Sequence, residues 1–319
     1  MSDTPPSLSI VVPCYNEGQV FPYCLRHLEG VLRELITAEK ISPSSYILFI
    51  DDGSKDTTWQ QIHKATQRSL SPSNPAVHGV KLSRNYGHQT ALMAGLSRVN
   101  TDISISIDAD LQDDIHCIAL MIEKYQQGSD IVYGVRKDRS NDTIFKRSTA
   151  ELFYKIMELM GVKQVSNHAD FRLLSRRALQ ALLSYKENMR YIRGIVPLLG
   201  YPSERVFYKR KERTSGETKY PLSKMLSLSL EAITSLTITP LRVISALGLL
   251  TCLLSGVGGV YVLIKALCGA TLRGWASIEL SIFFLGGIQL LSLGIIGEYV
   301  GRIYLETKKR PSYFIEEEI

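Results

Sequence analysis

Asp108 and Asp110, separated by Ala109, follow the run Ile103-Ser104-Ile105-Ser106-Ile107. Alternating β-branched residues read as a strand with one buried face, and the two acids lie where it ends. On an extended chain they point to the same side. Two like charges held that close call for a counter-charge. A divalent cation carrying phosphate oxygens supplies one, because Mg²⁺ takes one or two protein carboxylates together with substrate phosphates. On its own the pair reads first as two solvated acids at a strand end, so the surrounding blocks must decide. Val11-Val12-Pro13-Cys14-Tyr15-Asn16-Glu17 closes an earlier strand, and Ile50-Asp51-Asp52-Gly53-Ser54-Lys55-Asp56 closes the next, where Gly53 permits a tight turn. Leu82-Ser83-Arg84-Asn85-Tyr86-Gly87 and the extended block Asp108-Ala109-Asp110-Leu111-Gln112-Asp113 come after them in order.

The elements that must position these blocks alternate along the first half. Leu8–Pro13, Tyr46–Ile50, Val80–Leu82, Ile103–Ile107 and Asp130–Val135 read as strands. Phe21, Leu25, Leu28, Leu32 and Leu35 recur at helical spacing between the first two, and Ile118, Met121, Ile122 and Tyr125 between the last two. Strand–helix alternation predicts an α/β fold with a mainly parallel sheet. Ligands of such sheets bind beyond the carboxyl ends of the strands, where Pro13, Asp51-Asp52 and Asp108-Asp110 all fall.

From about Leu241 the character changes. Leu241 to about Leu267 and Ile278 to about Val300 are each long enough to cross a hydrocarbon core, which takes about 20 residues. Basic residues gather at Lys209-Arg210-Lys211, Arg213, Lys219 and Lys224 before the first segment and at Lys308-Lys309-Arg310 after the second, while the linker 268–277 carries only Arg273. That asymmetry places the N-terminal domain and the tail in the cytoplasm, with two spans. Leu222, Met225, Leu226, Ile233 and Leu236 can share one helix face, either an interfacial helix on the membrane or a core helix. The expected division is a cytoplasmic α/β domain at 1–213, a loop and juxtamembrane helix at 214–240, a membrane hairpin at 241–301 and a tail at 302–319. A net charge of +6 over 319 residues implies no nucleic-acid partner. Five cysteines without C-x-x-C or metal spacing fit a reduced, cytosol-facing protein, and the N-terminal residues contain no signal-peptide pattern.

Taken in order, these blocks resemble glycosyltransferase family 2, with its type A nucleotide-sugar fold. Ala169-Asp170-Phe171-Arg172, Arg213-Thr214-Ser215-Gly216-Glu217-Thr218-Lys219-Tyr220 and Gly297-Glu298-Tyr299-Val300-Gly301-Arg302, with two C-terminal spans, narrow the resemblance to the polyprenyl-phosphate glycosyltransferases. These include the bactoprenol glucosyltransferases and the dolichyl-phosphate mannose synthases. The resemblance implies that Pro13, Tyr15, Asn16, Glu17 and Asp52 line the base and ribose pocket, with Asp108, Ala109 and Asp110 completing the nucleotide-sugar site. It implies that Asp108, Asp110 and Gln112 hold Mg²⁺ or Mn²⁺. Arg213, Gly216 and Lys219 would belong to a loop closing over the diphosphate and acceptor, and Arg136 with Arg147 (or Lys146) would meet the acceptor phosphate. Asp170 is nominated as a catalytic base, or as a group that orients Arg172 or the acceptor.

The expected reaction is inverting, metal-dependent transfer of a hexose from a UDP-sugar, with UDP-glucose first, to undecaprenyl phosphate at the inner membrane for O-antigen or other surface-glycan modification. The product would need a separate flippase and a downstream transferase, and the family implies tetramers. Alternatives are another donor (UDP-aminoarabinose, UDP-N-acetylglucosamine, UDP-galactose or GDP-mannose) or a non-catalytic membrane scaffold. A processive polysaccharide synthase is disfavoured because the chain has no Arg-Trp pair. A dinucleotide oxidoreductase is disfavoured because no G-x-G-x-x-G follows the first strand.

Overall fold

The computed structural model describes residues 4–69, 74–136, 168–185, 192–208, 239–268 and 275–319. Eight strands form one mixed sheet: β1 (Leu8–Cys14), β2 (Tyr46–Asp51), β3 (Ala76–Leu82), β4 (Ile103–Ser106), β5 (Ile131–Arg136), β6 (His168–Ser175), β7 (Ser203–Tyr208) and β8 (Ile315–Glu318). Their spatial order is β7-β5-β6-β4-β1-β2-β3-β8. β4, β1, β2 and β3 run parallel, as do β5 and β7; β6 is antiparallel to both its neighbours, and β8 is antiparallel to β3. The five strands expected from sequence are present, and β6, β7 and β8 are additional.

Helices α1 (Phe21–Thr37), α2 (Thr58–Ser69), α3 (His88–Leu96) and α4 (Cys117–Gln126) are the crossovers between the parallel strands and β5. α1 begins with Pro22 in its first turn, where a missing N–H costs nothing, and buries Leu25, Leu28, Leu32 and Leu35 along one stripe. α3 lies against β1 and β2 at very short range. A Cβ on Gly95 would stand 2.4 Å from Ile50 Cδ1 and 2.7 Å from Val11 Cγ1, so only glycine allows that approach. After β6, α5 (Arg176–Ser184) is capped by Ser175, whose Oγ accepts from Ala178 N at 3.2 Å. A single turn, α6 (Ile192–Ile195), leads to a 3₁₀ turn at Val196–Leu199 and then β7.

Both late apolar stretches are helical, as α7 (Thr239–Leu267) and α8 (Trp275–Thr307). Each is long and apolar enough to cross a membrane. They belong to a second compact unit, whereas the described residues through Tyr208 form the first unit together with Pro311–Ile319. The juxtamembrane helix expected over 222–236 lies outside the described residues.

Candidate active site

Three parallel strands end side by side, and their carboxyl ends carry the first cluster. At the end of β1, Pro13 is buried, and just beyond the strand Tyr15 stays 43% exposed. Asn16 takes the left-handed conformation at φ 54°, accepts from Lys55 N at 2.8 Å through Oδ1, and its own N–H reaches Ser54 Oγ at 2.9 Å. Glu17 N donates to Thr58 Oγ1 at 2.9 Å. The β1 and β2 ends are thereby tied into one wall. Asp52 closes the wall: its N–H donates to Cys14 O at 2.9 Å, and its buried carboxylate accepts from Tyr86 N at 2.7 Å and Gly87 N at 2.9 Å. Burial pushes this carboxyl up, and the two N–H bonds oppose that shift.

Gly53 makes the turn between β2 and this loop possible. Its φ is 66°, and a Cβ there would stand 2.4 Å from the backbone carbon of Arg84. Gly53→Ala should therefore cost about 1–3 kcal/mol from the left-handed conformation alone. Its unfolding midpoint against that of the parent protein checks this.

The acids after β4 sit differently from the sequence expectation. The strand stops at Ser106, and Asp108–Leu111 is a turn closed by Leu111 N donating to Asp108 O at 3.2 Å, with Leu111 at φ 45°. Strand alternation therefore does not set their directions; the turn does. Asp108 is pushed up to about 6, first by burial and then by Asp170, Asp113 and Asp110, with His88 opposing. Its buried Oδ1 has no hydrogen-bond donor among the described residues, His88 Nε2 standing 3.5 Å away. An under-satisfied carboxylate oxygen among acids suits a hard cation, and the oxygens of Asp108, Asp110 and Gln112 are the donor type Mg²⁺ or Mn²⁺ takes. Among the described residues no group of three His, Cys, Asp or Glu side chains able to hold a metal occurs.

Beside this turn, Asp170 on β6 is 2% exposed and gathers four donors from three elements. His88 Nε2 lies 3.2 Å and Gln89 Nε2 3.1 Å from Oδ2, both from the start of α3. Arg172 Nη2, from the same strand, lies 2.7 Å from Oδ1. Arg193 of α6 adds a fork, Nε to Oδ1 at 3.2 Å and Nη2 to Oδ2 at 3.0 Å. Burial alone would raise this carboxyl, but the His88 bond and the Arg172 and Arg193 guanidinium groups hold it well below the usual carboxylate range.

A third cluster occupies the carboxyl ends of β5 and β7. Buried Asp113 accepts from Tyr208 Oη at 2.5 Å and from Arg136 Nη2 at 3.1 Å, and Arg136 Nε lies 3.3 Å from Tyr208 Oη. Arg136, from β5, is thus aimed by two groups from two other segments.

Comparison with known proteins bears on what such a site serves. A family model described as "Glycosyl transferase family 2" matches residues 9–183. The chain is 49% identical to the uncharacterized glycosyltransferase YkoT of Bacillus subtilis, over 99% of this chain and 93% of that protein. The chain belongs to glycosyltransferase family 2. The bactoprenol glucosyl transferase of Shigella phage SfX is 40% identical over 97% of this chain and 98% of its own length. Mannosyl-3-phosphoglycerate synthase of Rubrobacter xylanophilus superposes with a TM-score of 0.47 at 15% identity, over 72% of each chain.

In this glycosyltransferase the described part of the site brings together the ends of β1, β2 and β4. Arg147, Arg213, Gly216 and Lys219 lie outside the described residues. His88, Gln89, Arg193, Asp113 and Tyr208 were missed by sequence reasoning. His88 and Gln89 directly follow the Arg84–Gly87 block and Asp113 closes the Asp108 block, so both had a local signal. Arg193 and Tyr208 lie far from any motif, and only the antiparallel β6 and the added β7 bring them in.

Proposed function

We propose that this enzyme transfers glucose from UDP-glucose to undecaprenyl phosphate at the cytoplasmic face of the membrane, inverting the anomeric carbon. The observation that carries the reading is the crowded, under-satisfied Asp108 carboxylate beside the Asp52 pocket. Surplus negative charge gathered at the strand ends suits a cation-bound diphosphate. Support for the lipid acceptor comes from the 40% identity to a bactoprenol glucosyl transferase over nearly the full chain and from the two apolar helices.

Pro13, Tyr15, Asn16, Glu17 and Asp52 would hold the base and ribose. Asp108, Asp110 and Gln112 would hold Mg²⁺ or Mn²⁺, which when bound neutralises the charge growing on the leaving diphosphate. Arg213 and Lys219 would add cationic groups over that diphosphate, with Gly216 letting their loop approach. Arg136 and Arg147 would receive the acceptor phosphate, whose oxygen forms the new bond to the anomeric carbon while UDP departs with the old bonding pair. That oxygen is already anionic near neutral pH, so no protein base has to take a proton from it. Asp170, saturated with donors, then serves to fix His88, Arg172 and Arg193 around the site. The lipid-linked product would require a separate flippase and a transferase on the far side, consistent with a role in surface-glycan modification.

The test is transfer of label from UDP-glucose, UDP-galactose, UDP-N-acetylglucosamine, UDP-aminoarabinose and GDP-mannose to undecaprenyl phosphate, with and without EDTA. A lipid-extractable, EDTA-sensitive product from UDP-glucose alone is expected. A product from a different donor would overturn the sugar, and an EDTA-insensitive product would overturn the metal.

A further inference from the structure

Beyond the second apolar helix the chain returns to the catalytic unit. β8 adds to the outer edge of β3, pairing Glu318 with Val80, Glu317 with Lys81 and Ile315 with Leu82. Gly79 and Ile319 exchange backbone bonds of 2.8 and 2.9 Å. Trp59 Nε1 donates to Glu317 Oε2 at 3.0 Å, and Lys81 Nζ meets Glu316 Oε1 at 2.9 Å. An edge strand covered in this way is protected from stray pairing, which is a sufficient reason for β8 alone.

The residues just ahead of β8 do something that edge protection does not need. Phe314 O accepts from Ser83 N at 3.0 Å, and Tyr313 Oη lies 2.9 Å from Ser97 Oγ. Ser83 and Ser97 are the two ends of one stretch, comprising the loop Arg84–Gly87 and helix α3. Inside it, Tyr86 N and Gly87 N hold the Asp52 carboxylate, and His88 and Gln89 hold Asp170. Ser83 Oγ also lies 3.0 Å from Tyr86 Oη, which links the first grip directly to the loop. Gln89, Met93, Ser97 and Tyr313 line one cleft of about 210 Å³ along the helix. The tail therefore holds both ends of the segment whose middle forms one wall of the nucleotide pocket.

We propose that Tyr313–Ile319 is a positioning element of the donor site. By fixing Ser83 and Ser97 it keeps the Tyr86–Gly87 amides on Asp52 and Gln89 on Asp170. The proposal rests on the assignment of the Asp52 pocket to the nucleotide-sugar. It makes the donor, and not the lipid acceptor, the substrate that senses the tail.

The experiment uses the full-length protein in bilayers, a version ending at Ser312 that keeps both apolar helices, and Tyr313→Phe. Hydrogen exchange at the Tyr86 and Gly87 amides and the KM for UDP-glucose and for undecaprenyl phosphate are measured in each. Losing the Tyr313–Ser97 bond should raise the donor KM about fivefold, the scale of one hydrogen bond. In the shortened protein the two amides should exchange at least tenfold faster and donor KM should rise further, with acceptor KM within twofold of the parent. A synthetic peptide spanning Pro311–Ile319, added in trans, should reverse both changes, as an edge strand can be supplied by another chain. Unchanged exchange and unchanged donor KM in the shortened protein would overturn the proposal, as would equal loss for both substrates that the peptide does not restore. A parent protein that ignores UDP-glucose, while its Tyr86 and Gly87 amides still depend on the tail, would remove the donor assignment and support the clamp.

Discussion

Asp110→Asn should lower glucosyl transfer by about 10³-fold while leaving the unfolding midpoint within a degree or two of the parent. Asp110 is partly exposed, and the bond its Oδ1 accepts from Gln112 N at 3.3 Å can be kept by an amide oxygen. The local fold therefore loses little. In the proposed site, an amide would not supply the charge that a divalent cation would draw from a second carboxylate. A bound cation contributes several kcal/mol to stabilising a developing phosphate charge. At 1.36 kcal/mol per factor of ten, losing about 4 kcal/mol gives the stated effect. Two readouts separate this from general damage: Mn²⁺ binding followed by electron paramagnetic resonance, and the rate at saturating donor. Transfer at the parent rate with weakened Mn²⁺ binding would remove the cation from the chemistry; transfer and binding both unchanged would remove Asp110 from the site.

How much of this was legible before the structure differs between the strands and the site. β1 and β2 announce themselves through near-continuous apolar runs ending in turn residues, and β4 through its Ile–Ser alternation, which hides that its serine face is buried too. β6 does not, since His168-Ala169-Asp170-Phe171-Arg172 places an acid and a base in the middle of a buried strand, and their compensation by Arg193 and His88 is a tertiary event. β7, with three exposed residues at its start, carries only the short apolar run Val206-Phe207-Tyr208, and β8 has three consecutive glutamates. Their pairing is decided by neighbouring edges. In the site, residues carried on a strand end or within its turn could be read locally: Asp52, Asp108, Asp110 and Gln112. Partners such as Arg193 on Asp170, or Tyr208 on Asp113, come from 23 and 95 residues away and leave no spacing to find.

Asp170 shows what that hidden tertiary event costs to break. Asp170→Asn should destabilise the catalytic unit by about 3–5 kcal/mol, the usual range when one member of a buried ion pair is removed. Arg172 is 1% exposed and cannot turn to water, so its charge would be left in the interior without the carboxylate. Arg193 is 41% exposed on its side chain and can be rehydrated, so it contributes less to the penalty. A double variant separates the two roles open to Asp170. Adding Arg172→Met to Asp170→Asn removes the stranded charge and should recover most of the lost stability, because paired removal of buried charges is often close to neutral. If Asp170 is the anchor its four donors indicate, transfer should return in part with the stability, since nothing at that position has to accept a proton. A carboxyl held well below the usual range is also a poor base near neutral pH. A double variant that regains its parent's unfolding midpoint and its donor and acceptor KM, and still transfers no sugar, would reverse this assignment and make Asp170 a participant in the chemical step.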